Sequence, residues 1–174
     1  VRDLLHHMVE LDQYMRRYSD LVYADTYSEK EREEFSERFQ KRFRRVDAFH
    51  FDFLLSIFQK YHWISISLFG KKADADAWLL VQHADENLDF QKMILKRLEK
   101  LWPIGETNAS NYAYLYDRVA SAWSDPSQRK LQRYGTQGVC IGPGIWKPLP
   151  IEDSEKVDER RKAVGLPSLS EYTK

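Results

Sequence analysis

The chain has 174 residues, of which 27 are Lys or Arg and 27 are Asp or Glu, so its formal net charge at neutral pH is zero. This balance argues against a protein that binds nucleic acid mainly by neutralising phosphates. A hydrophobic fraction of 43% is too high for a disordered chain, and the length is typical of one domain. The single cysteine, Cys140, excludes an intramolecular disulfide, and no apolar run is long enough to span a membrane. No signal peptide is recognisable, so we expect one cytoplasmic domain covering 1–174.

Two helices are predicted in residues 1–60, where glycine and proline are absent. Apolar residues recur at spacings of three and four from Leu4 to Val22, which predicts a helix over Asp3–Tyr18 that is interrupted at Asp25-Thr26-Tyr27. A second apolar period predicts one long helix over Glu29–Lys60, with an amphipathic first half and a more buried second half.

The start of the long helix is indicated by a capping pattern. Ser28 and Glu31 have the spacing of a capping box, in which each residue's side chain binds the other's backbone N–H. The charged stretch that follows, up to Arg45, contains acids and bases at helical spacing. It is therefore interpreted as a solvated face rather than a nucleic-acid site.

Residues 63–174 are predicted to hold four more helices. Their expected ranges are Ala73–Asp85, Phe90–Leu101, Asn108 or Ser110 to Trp123, and Ile151–Val164. Trp63–Phe69 fits a short strand or a loop, and Ser124–Pro150 is expected to form a long ordered loop. The prediction is thus an all-α bundle of about six helices, with that loop after the fifth.

The Ala73–Asp85 helix is the most informative, because it is apolar on nearly every side and so is expected to be buried. Gln82, His83 and Asp85 are polar exceptions at its end. One interpretation is a helix terminus whose polar residues cap neighbouring backbone. The other places His83 at a pocket wall as a general acid or base. His83 and Asp85 lie on opposite sides of an ideal helix, so a local acid–base pair is not expected.

Two further polar blocks lie beyond this helix. Asp117 and Arg118 diverge on their helix and must find separate partners, either in a structural ion pair or, for Arg118, on a substrate carboxylate or phosphate. The block Gln132–Gln137 contains Tyr134, Thr136 and Gln137 and a glycine that permits close backbone approach. It fits a binding loop or a hydrogen-bonded loop docked on the core equally well.

Metal and cofactor motifs are absent from the sequence pattern. The histidines His6, His7, His50 and His62 have no HExxH spacing or carboxylate cluster beside them, so no metal site is predicted. Gly142-Pro143-Gly144 is a turn without the Lys-Ser/Thr of a phosphate loop. Cys140 has no base beside it and is not a predicted nucleophile.

Six blocks together resemble a bacterial family of unknown function. They are Trp78–Asp85, Phe90-Gln91, Ala113–Val119, Gln132–Gln137, Pro150–Asp153 and Val157–Arg161. The resemblance covers roughly Trp63 to Tyr172 and supplies no activity. It implies that these polar blocks belong together, and hence that Gln82, His83, Asp85, Asp117, Arg118, Tyr134, Thr136 and Gln137 converge on one site.

The leading functional prediction is a small-molecule enzyme without a cofactor that uses acid–base chemistry in a helical pocket. His83 would transfer protons, Asp85 or Asp117 would orient it, and Arg118 would hold an anionic group. The loop would cross the buried helix and bring Tyr134 and Gln137 near His83. Together with Arg118, the residues that would bind substrate are Gln82, Tyr134, Thr136 and Gln137.

Two alternatives remain at this point. The first is a non-catalytic protein-binding or immunity-type module, in which the charged helices Glu29–Arg45 and Asp153–Lys162 form the working surface. The second is a metal protein, which requires His6, His50, His62 or His83 to meet a carboxylate.

Overall fold

The computed structural model describes residues 1–19, 27–122 and 125–173. The structure is 69% helix, with eight α-helices and one two-stranded sheet among these residues. The predicted mainly helical class is therefore confirmed. The predictions of an all-α fold and of about six helices were not exact, because short helices and a hairpin form in segments where the apolar pattern is weak.

The two N-terminal helices lie close to their predicted bounds: α1 is Arg2–Ser19 and α2 is Glu29–Tyr61. The capping box is confirmed, since the Glu31 carboxylate accepts the N–H of Ser28 at 2.9 Å and Ser28 Oγ accepts the N–H of Glu31 at 3.4 Å. The predicted apolar position Val22 and the break at Asp25-Thr26 lie outside the described residues.

The two halves of α2 differ in burial as the sequence predicts. Every residue in 29–49 is exposed or partly exposed, whereas buried positions begin at His50 and include Leu54, Ile57 and Phe58. The second half packs on α1 and on the central helix described next, while the first half extends along the surface.

The segment Trp63–Phe69, expected to be a short strand or a loop, is irregular over 63–65 and helical after that, so the strand alternative was wrong and the loop holds only for its first part. It contains α3, Ile66–Phe69. Glu106 sets this conformation from a distant part of the chain, because its carbonyl accepts the N–H of Ile66 and its carboxylate accepts the N–H and hydroxyl of Ser67 at 3.1 and 2.8 Å.

The central helix, α4, is Lys71–Gln82 and packs against α1, α2, α3 and two later helices. Its burial is confirmed, but it ends at Gln82 rather than Asp85. Its interior also holds a carboxylate, Asp74, which accepts Nε1 of Trp63 at 2.8 Å and Nδ2 of Asn111 at 2.9 Å. These hydrogen bonds offset the cost of removing the Asp74 carboxylate from water.

Helices α5, Leu88–Leu101, and α6, Ala109–Ser121, follow near their predicted places. Asn108 caps α6 by accepting the N–H of Ser110 at 3.1 Å, as the sequence predicts for one of its two candidates. A 3₁₀ turn at Trp102–Ile104 separates the two helices. The predicted end of α6 at Trp123 lies outside the described residues.

The predicted long loop contains regular structure. After a 3₁₀ turn at Pro126–Gln128, strands β1, Gly138–Gly142, and β2, Ile145–Pro148, pair antiparallel with a register shift between Cys140 and Gly142. The turn that joins them holds the Gly142-Pro143-Gly144 sequence.

The C-terminal part is shorter in helix than predicted. A 3₁₀ turn at Ser154–Lys156 leads into α7, Val157–Ala163, and α8 is Leu169–Tyr172. The charged stretch 153–162 is mostly exposed, as expected for a solvated helix, but Val157 and Arg161 of α7 are buried. A Schellman motif ends α7: Gly165 has φ +73°, and the N–H of Leu166 bonds to the Arg161 carbonyl at 2.9 Å.

Among the described residues, no helix combines the length and apolar character that crossing a bilayer requires.

Candidate functional site

A cavity of about 560 Å³ lies between the middle of α2 and the connection from α4 to α5. Its walls include Arg16 of α1, Asp47 and Phe51 of α2, and His83 and Asp85 of the connection. The volume is within the range that holds a small-molecule ligand. It is therefore the place where two of the predicted site residues meet solvent.

His83 reaches this cavity from the C-terminal end of α4. The backbone N–H of His83 still bonds to Leu79, but the residue is the C-cap and the chain turns away after it. Its Nδ1 atom lies 2.7 Å from Oδ2 of Asp12, which belongs to α1. The His83 side chain is 17% exposed and that of Asp12 is 1% exposed. A buried carboxylate thus orients an imidazole at the cavity wall.

Arg16 completes this arrangement from the next turn of α1. Its Nε donates to the two oxygens of Asp12 at 3.1 and 3.2 Å, and its guanidinium lies over the ring of Phe43. Nε is also 3.0 Å from Nδ1 of His83. The contact of Nδ1 with Asp12 is the shorter of the two, so we assign the Nδ1 proton to it. Nδ1 then donates to Asp12 and does not accept a hydrogen bond from Arg16.

The charge on Asp12 is stabilised by these neighbours. Burial opposes its ionisation, but the hydrogen bond and charge of His83 and the charge of Arg16 together hold the pKa of Asp12 below its usual value. Asp12 is therefore an ionised acceptor in the folded protein.

Asp47 and His50 lie behind this pair, one turn apart on α2. One ring nitrogen of His50 and one carboxylate oxygen from each of Asp12 and Asp47 lie within 4.8 Å of one another. Burial raises the pKa of Asp47 to about 6, and burial lowers the pKa of His50. The three residues and His83 border a second, small cavity of about 10 Å³.

Asp85 also lines the large cavity, and a network fixes its position. Arg118 of α6 binds it with two guanidinium nitrogens, one at 2.8 Å, and Nε2 of Gln91 donates to it at 3.2 Å. Arg118 further donates to Oε1 of Gln137 at 3.4 Å. The network ties the α4–α5 connection to α6 and to the segment before β1.

Asp117 faces the opposite way and is fully buried. Its carboxylate accepts the backbone N–H of Arg133 at 2.7 Å, of Tyr134 at 3.1 Å and of Thr136 at 2.9 Å, together with the Thr136 hydroxyl at 2.9 Å. Burial raises the pKa of Asp117, against the effect of these donors. The residue holds the 132–137 segment on the core.

The other predicted site residues are also surrounded by protein. Gln82 is buried, and its amide oxygen is assigned to the side that faces Nε1 of Trp78 and the N–H of Leu115, both at 3.2 Å. Tyr134 is buried with its ring edge-on to Tyr116, and Gly135 beside it has φ +68°.

A family model matches residues 3–174, and its description is a family of unknown function, DUF6624. The chain belongs to this family. The predicted membership in a family without known activity is thereby confirmed. No curated protein and no solved structure matches the chain. The DUF6624 match reaches much further towards the N terminus than the resemblance at Trp63–Tyr172, so it includes the helices that carry Asp12, Asp47 and His50.

The predicted residues of this DUF6624 protein thus divide into groups. His83 and Asp85 line the large cavity, and Arg118 and Gln137 join the site through Asp85. Asp117 and Thr136 form the separate buried cluster. Asp12, and not Asp85 or Asp117, orients His83, and the segment before β1 is linked to Asp85 rather than to His83.

Asp12, Arg16 and Asp47 were not among the predicted site residues, and His50 was expected to have no carboxylate beside it. A pattern was available for Asp12, because it continues the buried positions Leu5 and Met8 at helical spacing. A carboxylate on the apolar face of a helix requires partners inside the protein.

Proposed function

We propose that the protein is an enzyme that binds a small molecule in the large cavity and uses His83 for acid–base chemistry. The observation that carries this proposal is the 2.7 Å contact of His83 Nδ1 with buried Asp12 at the cavity wall. The contact leaves Nε2 as the ring nitrogen available to a bound molecule.

The Asp12–His83 pair supports proton transfer by a general argument. A carboxylate at Nδ1 fixes the tautomer and the ring orientation, and it stabilises the imidazolium that forms when Nε2 accepts a proton. Arg16 holds the carboxylate in place through two oxygens. The three side chains are therefore organised before any ligand binds, which is the arrangement that proton-transfer sites require.

The cavity walls indicate which molecules fit. The rings of Phe43 and Phe51 offer apolar surface, and Asp52, Asp85 and Glu86 are carboxylates on the same walls. Acidic side chains outnumber the basic ones there, so the walls favour a ligand with an apolar part and hydrogen-bond donors or an amino group. In this proposal Arg118 and Gln137 hold Asp85 towards the ligand rather than binding an anion themselves.

The test is a metabolite thermal-shift screen of the full chain, followed by mass spectrometry of each stabilising compound after incubation with the protein. We expect turnover of a compound by the wild type and its loss in His83→Ala. The matched control is His7→Ala, because His7 is an exposed histidine on α1. Equal turnover by wild type and His83→Ala would refute the proposal.

A second candidate function, the binding of another protein, is supported by a separate observation. Phe35, Phe39 and Phe43 form a stacked row on the first half of α2, with neighbouring ring centroids 5.8 Å apart. Phe35 is exposed, Phe39 and Phe43 are half-buried, and Phe49, outside the row, is 61% exposed. Exposed apolar patches are typical of protein-binding surfaces. Phe35→Ser with Phe49→Ser separates the two functions, because the enzyme proposal expects unchanged turnover in this double variant.

A further inference from the structure

We propose that Asp12, Asp47 and His50 bind a divalent first-row transition-metal ion beside His83. The ligand atoms of the three residues lie within 4.8 Å of one another. Asp47 and His50 are three positions apart on α2 and so share a face of the helix, and Asp12 approaches them from α1. Two helices thus bring an imidazole and two carboxylates to one point.

The burial of His50 without a hydrogen-bond partner for Nε2 is an independent observation that supports the metal site. It is 4% exposed, and its Nε2 atom has no hydrogen-bond partner among the described residues. Buried polar side-chain atoms in folded proteins nearly always have a partner, and an orphaned one needs an explanation such as a bound ion. His50 borders the small cavity that Asp12 and Asp47 also border, and one of its ring nitrogens lies within 4.8 Å of their carboxylate oxygens, so a metal ion there would give this imidazole a partner.

The size of the small cavity fits a single ion. Its volume is about 10 Å³, which is close to the smallest space that accepts one water molecule. Ligand atoms about 2.1 Å from a tetrahedral zinc ion are about 3.4 Å apart, and never more than about 4.2 Å. The observed limit of 4.8 Å closes to that spacing with side-chain shifts of less than about 1 Å.

The charge of the cluster and its ligand types also favour a transition-metal ion. Two carboxylates exceed the single positive charge of Arg16, so the cluster has an uncompensated negative charge for a cation. One imidazole with two carboxylates suits Zn²⁺, Fe²⁺ or Mn²⁺, whereas Mg²⁺ and Ca²⁺ prefer oxygen ligands alone. The bond from His83 to Asp12 resembles the hydrogen bonds that orient ligating carboxylates in metal sites.

An ion at this place could bind water or a substrate next to the large cavity. Three protein ligands leave one position of a tetrahedral ion open to water or substrate. The small cavity shares Asp47, Phe51, His83 and Ala84 with the large one, so the proposed ion would lie next to the ligand-binding space. The inference does not rest on the proposed activity, because metal binding is measured without any substrate.

The experiment uses the full chain, with its purification tag removed and its metals stripped by a chelator. The protein is dialysed separately against Zn²⁺, Mn²⁺ and Mg²⁺, and bound metal is measured by plasma mass spectrometry. We expect about one Zn²⁺ per chain and little Mg²⁺. Asp47→Asn and His50→Gln are each expected to weaken Zn²⁺ binding at least about tenfold in calorimetric titration.

The matched controls are Asp52→Asn and His62→Gln, which change the same residue types on or just after α2 but outside the cluster. Both are expected to bind Zn²⁺ as the wild type does. No stoichiometric metal in the wild type, or equal weakening by the control substitutions, would overturn the proposal and indicate adventitious surface binding.

A second measurement keeps the test independent of variant folding. Cobalt-loaded wild type is expected to show the visible absorption of a tetrahedral Co²⁺ site, and Zn²⁺ is expected to raise its Tm with increasing concentration. Absence of both effects would refute the site. His83→Ala is expected still to bind one Zn²⁺ per chain at saturating Zn²⁺, with an affinity weakened by the loss of its bond to Asp12. Loss of turnover in metal-saturated His83→Ala therefore reports on the proposed activity, and loss of metal in His50→Gln reports on the site.

Discussion

Asp12 and His83 are 71 positions apart in the chain, and their side chains meet at 2.7 Å between the apolar face of α1 and the end of α4. His83 has helical backbone angles and keeps the bond of its N–H to the Leu79 carbonyl, so the repeat of α4 sets its position. The packing of α1 on α4 then brings Asp12 to it.

Replacing Asp12 with Asn tests how much this contact stabilises the fold. The variant keeps the shape of the side chain but removes the negative charge to which Arg16 and His83 both donate hydrogen bonds. We expect the free energy of unfolding to fall by about 1–3 kcal/mol, because a buried charged acceptor is lost from two donors. Urea denaturation monitored by circular dichroism measures it.

The control for this change is Asp89→Asn on α5, whose carboxylate is exposed and lies 3.7 Å from Lys92. A change within about 0.5 kcal/mol is expected there, as for most surface substitutions. An equal loss in both variants would mean that the effect of Asp12→Asn is not due to its buried partners.

The helices show what sequence periodicity can predict. The bounds of α2 follow from a run of apolar residues, a capping box and the absence of glycine or proline, all of which act within a few positions of the chain. The Schellman motif at Gly165 is local in the same way. Local rules therefore predict most of the helical fold.

The site residues were less predictable because their partners are distant in sequence. Asp12, Asp47 and His83 come from three helices, and helical periodicity does not determine which faces of different helices meet. For α3, the deciding partner is Glu106, which lies well beyond the segment that it stabilises. Tertiary contacts of this kind override weak local preferences.

Asp117→Asn tests the buried cluster that holds the 132–137 segment. Its carboxylate accepts three backbone N–H groups and one hydroxyl, and an Asn side chain would turn an NH₂ group towards some of these donors. We expect a loss of about 2–3 kcal/mol and faster hydrogen exchange in residues 129–137. Hydrogen-exchange mass spectrometry resolves that peptide.

Glu155→Gln serves as the comparison for Asp117→Asn, because Glu155 is an exposed acid in the C-terminal part. Its exchange pattern is expected to match the wild type. If Asp117→Asn left exchange in 129–137 unchanged, the carboxylate would not be what holds this segment.

The Arg118–Asp85 pair is best tested by a double-mutant cycle with Arg118→Gln and Asp85→Asn. Both side chains are partly exposed, at 21% and 36%, so solvent weakens the interaction, but the contact uses two guanidinium nitrogens. We expect a coupling energy of about 1 kcal/mol. The exposed Lys92–Asp89 pair, cycled in the same way, is expected to give a coupling of about 0–0.5 kcal/mol. Equal coupling in the two pairs would contradict a positioning role for Arg118.

The hairpin offers a prediction about packing, through Gly138 at the start of β1. A Cβ atom at Gly138 would collide with the indole ring of Trp146 and with the backbone carbonyl of Lys147. The backbone oxygen cannot move without breaking the pairing of Val139 with Lys147, so Gly138→Ala is expected to cost about 1–3 kcal/mol. The emission of Trp146 is expected to shift towards that of a more exposed indole.

Gly142→Ala at the other end of the same strand is the matched substitution. Its added Cβ would lie 3.6 Å from Cδ1 of Ile145, which is an ordinary contact, so the free energy of unfolding is expected to change by less than about 1 kcal/mol. Thermal unfolding of the two variants side by side measures the difference. Because β1 begins directly after Gln137, which contacts Arg118, the Gly138 variant is also expected to loosen the network around Asp85. Equal Tm values for the two variants would show that β1 and β2 do not pair as described.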